Sequence, residues 1–182
     1  MEREVVIVGA GIAGASLAHF LTEAGQRNVL IVERESGPAY HASGRSAEAL
    51  VEVELDPIWQ PLLVESARFF RRPPPAVARR SLLTPTGIVN LVDESERAAL
   101  AGAIPDLHRQ GIAVELLAAR EVLRRLPFIS ERDFAGAMFL PDSGRLAVGA
   151  LIAGYLGAAR ARGADLWLDT EVVGVETSGG RV

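Results

Sequence analysis

The chain contains no cysteine, which excludes disulfides, thiol catalysis and a cysteinyl link to a prosthetic group. Lysine is absent as well, so all 19 cationic side chains are arginine, whose permanent charge and planar fork suit anion contacts. Acids outnumber these bases and the two signs are scattered, leaving a net charge of −4 and no basic stripe for nucleic acid. No apolar run reaches the roughly 18 to 20 residues that a membrane span needs. Glu2 and Glu4 stand where a secretory signal carries bases, and no A-x-A-like cleavage site follows. A cytoplasmic location is the expectation. His19, His41 and His108 are far apart in the sequence and have no metal-ligand spacing, so no metal is assigned.

What is present is the material of a globular protein: 49% apolar and 23% charged residues in a length of 182, enough for one good core or two small ones. The organising stretch is the first 34 residues. The β-branched run from Val5 to Val8 predicts a fully buried strand of a parallel sheet. Gly9, Gly11 and Gly14 follow as G-x-G-x-x-G, and each has its own task. Gly9 permits the tight strand-to-helix turn, Gly11 removes a Cβ where a pyrophosphate approaches, and Gly14 lets the helix sit against the strand. Free N–H groups at the helix start then face an anion.

Ile12, Ala13, Leu17, Ala18, Phe20, Leu21 and Ala24 make one apolar helical face, and Gly25 stops the helix. His19 lies inside that helix, packed or at the surface. A second apolar strand over 28–32 ends at Glu33, nineteen residues past Gly14. An acid there accepts hydrogen bonds from both hydroxyls of a ribose without a 2′-phosphate. Strand, glycine turn, helix, stop and acid together separate this pattern from a glycine-rich turn without a ligand.

Residues 35–46, ESGPAYHASGRS, form a loop at the carboxyl end of the second strand, on the rim where open α/β sheets bind ligands. Ser43, Gly44, Arg45 and Ser46 combine flexible backbone, hydroxyls and a guanidinium. Ser46 is expected to cap a helix over 47–51, giving a second helix start at the diphosphate.

The segments VIVGAGIAGAS, IVERE and HASGRSA together resemble the D-amino-acid oxidase superfamily of FAD-dependent amine and amino-acid oxidoreductases, and within it the D-arginine-dehydrogenase-like branch. The resemblance is specific over the first 50 residues and mainly one of pattern over the next hundred. It implies that Gly9, Gly11, Ala13 and Gly14 border the FAD pyrophosphate, that Glu33 holds the adenosine ribose, and that Arg34 flanks the adenine end. Ala42, Ser43, Gly44, Arg45, Ser46, Ala47 and Glu48 would run along the diphosphate toward the flavin, and Val172 would meet adenine through its backbone. The histidine, threonine and tyrosine with which that branch borders its substrate are replaced here by Ala49, Val51 and Glu54, so the substrate does not carry over.

The remaining chain alternates helices and strands. Asp56-Pro57 starts an amphipathic helix that ends before Pro73-Pro74-Pro75, with Trp59 expected in the core. Strands are expected over 82–84, 87–92, 113–116 and 134–140. Helices are expected over 95–110, with an interruption possible at Pro105, and over 118–126. A helix over 147–162 would pack its small residues Ala150, Ala153, Gly154, Gly157, Ala158 and Ala161 on the sheet. It leads to a third parallel strand over 164–168 and a further strand over 171–176 that enters a hairpin at Ser178-Gly179-Gly180. The stretch between the second and third parallel strands is too long for an ordinary crossover.

The expected fold class is therefore α/β: a Rossmann-like FAD-binding domain (1–48 and 145–182) with a parallel sheet, interrupted by an inserted α+β substrate-side segment (49–144). The turn over 142–145 is taken as conformational punctuation. Ending just after a turn signal, the chain reads as an N-terminal portion that needs a missing C-terminal part or a partner subunit for activity. By the resemblance it would oxidise the CH–NH bond of an amino acid, such as a D-amino acid, or of an amine by hydride transfer to FAD. No catalytic residue is assigned; Glu54 and Arg79 are candidate substrate contacts, with solvated surface as their other reading. The alternatives are an NAD-binding dehydrogenase domain and a non-catalytic dinucleotide-binding subunit.

Overall fold

The computed structural model describes residues 2–130 and 134–177, which divide into two compact units. The first comprises Met1–Ala47, Pro73–Leu82 and Ala147–Val182; the second comprises Glu48–Arg72 and Leu83–Leu146.

In the first unit, β1 (Val5–Val8), β2 (Val29–Val32) and β9 (Asp165–Trp167) form a parallel sheet in the order β1-β2-β9. This is the 3-2-1 half of a doubly wound sheet. The register pairs Val5 with Val29 and Leu30 with Asp165. Only β2, paired on both sides, is buried at every residue. In β1 only Ile7 is buried, while Val6 and Val8 are 51% and 65% exposed. The expectation of a fully buried first strand is thus corrected, because among the described residues β1 pairs on one side only.

Helix α1 (Ile12–Glu23) also turns a different face inward than the sequence suggests. Ala15, Ala18, His19 and Thr22 are buried, and Leu17 and Phe20 stay half exposed. The close approach set by Gly14 explains this: a Cβ there would lie 1.9 Å from the Gly9 carbonyl oxygen, so alanines rather than leucines fit at the contact. Helix α5 (Val148–Ala161) packs on α1. Its buried side is Leu151, Ile152, Tyr155, Leu156, Ala158 and Ala159, whereas Ala150, Ala153, Gly157 and Ala161 face solvent. Of the expected small-residue face, Gly154 does mark a close approach: a Cβ there would meet the Val77 carbonyl at 2.2 Å.

The second unit is antiparallel. One sheet joins β3 (Ala49–Leu50), β8 (Gly144–Leu146) and β4 (Leu83–Pro85), and another joins β5 (Ile88–Val92), β7 (Gly136–Leu140) and β6 (Glu115–Ala118). Helices α2 (Trp59–Arg71), α3 (Glu94–Arg109) and α4 (Ala119–Arg125) accompany them. The core gathers Val92, Leu100, Leu107, Ile112, Val114, Met138 and Leu140. Asp93 and Glu96 close a reciprocal capping box at the start of α3, and Pro105 lies within that helix without ending it.

Several expectations fail locally. No helix follows Ser46, because residues 49–50 join a sheet instead; Ser46 Oγ donates to the Ser43 carbonyl at 3.3 Å. Trp59 is 58% exposed rather than core. Residues 171–177 form no strand, and Val173 is 92% exposed. The expected hairpin turn lies outside the described residues.

Candidate functional site

The carboxyl ends of β1 and β2 open into a cleft of about 460 Å³ that lies wholly within the first unit. The strand-to-helix turn forms one wall. Gly9 adopts φ +100°, a left-handed conformation that glycine accepts without strain, and its N–H donates to the Val32 carbonyl at 2.7 Å. Gly11 caps α1 with no side chain of its own; Ser43 Oγ accepts from the Ile12 N–H at 3.0 Å instead. A Cβ on Gly11 would meet that hydroxyl at 3.1 Å.

Glu33 sets the opposite edge. The residue is 9% exposed, and its carboxylate accepts from the Ala10 N–H through Oε2 at 2.8 Å and from the Glu35 N–H through Oε1 at 3.0 Å. Each carboxylate oxygen has more than one lone-pair site, so these bonds fix the group and leave capacity for hydroxyl donors. Beyond β9 the chain continues beside β2's exit: Asp169 N–H donates to the Glu35 carbonyl and Thr170 N–H to the Glu33 carbonyl. That pairing carries Thr170, Glu171 and Val172 to the rim.

The loop of 35–46 closes the outer side. His41 Nε2 lies 2.7 Å from Glu35 Oε1 and 3.0 Å from Arg34 Nη2, and Arg34 Nε donates to Glu35 Oε1 at 3.1 Å. The His41 hydrogen bond, with Arg34 adding to it, holds the Glu35 carboxyl below the usual carboxylate range. Arg45 stacks its guanidinium 5.3 Å from the Tyr40 ring centre. Gly44 allows the loop to fold on itself, since a Cβ would lie 2.1 Å from the Ala39 carbonyl oxygen.

Of the residues singled out in the sequence, the cleft brings together Gly9, Gly11, Glu33, Arg34, Ala42, Ser43 and Val172. It does not gather the others. Ala13 is exposed on the first turn of α1, Gly14 faces Gly9, and Gly44 faces Ala39. Arg45 and Ser46 engage Tyr40 and Ser43, and Ala47 is exposed. Glu48 belongs to the second unit, where it holds Arg145 at 2.9 Å. Tyr40, His41, Thr170 and Glu171 line the cleft but escaped the sequence reading. For Tyr40 and His41 the signal was their place in the rim loop; Thr170 and Glu171 had none without knowledge of how the chain leaves β9. Glu54 and Arg79 are both exposed.

A glycine turn, a helix start and a pinned carboxylate around one cleft at the end of a parallel sheet define a dinucleotide-binding unit. The particular family follows from comparison: the chain belongs to the FAD dependent oxidoreductases, whose family pattern matches residues 4–182. It is 24% identical to monomeric sarcosine oxidase of Streptomyces avermitilis, over 90% of this chain and 42% of that protein. With glycine oxidase of Geobacillus kaustophilus it shares 28% identity, over 96% and 48%. The solved structure of glycine oxidase from Bacillus cereus superposes with a TM-score of 0.71 at 26% identity, covering 98% of this chain and 50% of that one. The chain spans about half the length of the relatives it matches. The cleft has the chemistry the family's cofactor would need: a helix start at Gly11 that would face an anion, and a fixed Glu33 carboxylate with lone pairs that would accept from ribose hydroxyls. Among the described residues no group of acids and histidines is placed to hold a metal ion, and no helix is long and apolar enough to cross a membrane.

Proposed function

We propose that the first unit is the FAD-binding domain and the second the substrate side of an enzyme that oxidises the CH–NH bond of an amino acid or amine. Glu33 carries the reading, because a carboxylate held by two backbone N–H groups beside a glycine turn is built to receive ribose hydroxyls. Gly9 and Gly11 line the path of the diphosphate with Ala42 and Ser43 along it, and the backbone of Val172 meets adenine. Arg34 flanks the adenine end; by the family resemblance Ala13 and Gly14 border the diphosphate, and Gly44, Arg45, Ser46, Ala47 and Glu48 lead from it toward the flavin. When bound, FAD supplies the hydride acceptor for the substrate's α-carbon. The protein's own share is to bind, orient and keep water from the reacting end.

The finer reading is a D-amino acid among the candidate substrates, from the family resemblance as a whole and not from Ala49, Val51 and Glu54, and a cytoplasmic enzyme, supported by the cysteine-free composition. A C-terminal portion or partner subunit completes the catalytic site in this reading. The test is titration with FAD and, separately, NADH, following flavin and nicotinamide fluorescence. FAD should bind in preference, and Glu33→Gln should weaken it about tenfold or more, the loss of a charge-assisted hydrogen bond. NADH binding without FAD binding would overturn the proposal.

A further inference from the structure

The contact between α1 and α5 contains a feature that the cofactor reading does not use. His19 is wholly buried, with its ring centre 5.0 Å from that of Tyr155 and 4.9 Å from that of Phe20. Its Nδ1 lies 3.3 Å from Arg162 Nη1. A guanidinium only donates, so Nδ1 is the acceptor and the single proton of the neutral ring sits on Nε2. Among the described residues Nε2 has no hydrogen-bond partner; Glu23 Oε2, at 3.8 Å, is too far to serve. Arg162 also reaches the Ala158 carbonyl and Glu23 Oε1, each at 3.4 Å.

A second proton on this ring has one place to go, Nδ1, where it would point at the guanidinium and displace it. We propose that His19 is an acid-sensitive joint between α1 and α5, which opens when its imidazole is protonated and expels Arg162. The consequence for the cleft rests on the cofactor reading above. Gly11 at the start of α1 lines the cleft, and α5 also packs on the short turn Ala42–Arg45 that forms its outer wall. Both walls therefore lean on the helix pair that the joint fastens.

The charged groups facing His19 are Glu23 on its own helix and Arg162 at the end of α5. Burial lowers the His19 pKa from 6.5; Glu23 opposes that shift and Arg162 adds to it. Tyr155, the titratable neighbour on α5, is pushed up to about 12 by burial and stays neutral. The strands β1 and β2 beneath α1 offer only valine, leucine and isoleucine. With the folded-state pKa below the unfolded value, the folded chain binds fewer protons than the unfolded chain as pH falls through 6.5. The joint's stability is then fully present above pH 6.5 and drains away below it.

The experiment compares the cofactor-free wild type with His19→Gln, which still accepts from Arg162 but does not titrate. Between pH 7.5 and 5.0 the wild-type Tm should fall about 3–5 °C further than that of the variant. FAD affinity should weaken about tenfold in the wild type and about threefold or less in the variant. Parallel Tm curves would sink the joint whatever FAD does, whereas failure of FAD to bind at pH 7.5 would sink the cofactor reading and leave the Tm comparison intact. If His19→Gln does not fold, the ring of His19 in the wild type is followed by NMR. Titration at or above pH 6.5 overturns the proposal, and titration below it supports it.

Discussion

At the scale of single residues, the three glycines of the first turn differ in what they tolerate. Gly14 has the least room, with the Gly9 carbonyl oxygen 1.9 Å from where a Cβ would stand and Ile7 Cγ2 at 3.2 Å. Gly14→Ala should therefore cost about 2–3 kcal/mol, the scale of an overpacked contact, and lower FAD affinity by shifting the turn. Gly37→Ala is the control, since no described residue lies within 4 Å of its added Cβ, and its stability should stay within about 0.5 kcal/mol of wild type. Urea unfolding of the two variants checks both. Gly9, Gly14 and Glu33 were legible because a turn, a close approach and a buried carboxylate each demand one residue type. Tyr40 and His41 were not, because an exposed tyrosine or histidine in a loop fits many surroundings equally well.

At the scale of elements, helices and strands were mostly legible and the faces they bury were not. The sequence reading gave α1 an apolar stripe through Leu17 and Phe20, but its packing follows small side chains instead. The second unit hides a polar network that periodicity does not reveal. Glu52 is 4% exposed and accepts from Arg71 Nη1 at 2.8 Å and from Ser143 Oγ at 3.1 Å. Arg71 also donates to the Asp142 carbonyl, and Gln60 Nε2 to the Glu52 carbonyl. The turn at 142–145, taken from sequence as punctuation, thus anchors a buried acid to α2. Arg71→Met would strand that carboxylate. The expected loss is about 2 kcal/mol, below the usual value for a buried pair because the Arg71 side chain is itself 36% exposed. Adding Glu52→Gln to Arg71→Met should restore part of the stability in chemical denaturation, because the unpaired charge is then gone.

At the scale of the whole molecule, the division into two compact units follows from where non-local pairing closes. The segment Pro73–Leu82 joins the first unit, pinned where Val77 meets Gly154, and no run of residues announces that return. Parallel pairing made the first unit recognisable from its opening residues, whereas the antiparallel sheets of the second unit are spelled by short strands common to many folds. One property of β1 reaches beyond catalysis. Among the described residues β1 pairs on one side only, and an open strand edge is a template on which an extended segment from a neighbouring molecule can zip. Concentrated samples should accordingly scatter more light with time. Val6→Lys, at a residue 51% exposed, should keep them dispersed by charge while Ile7 stays seated.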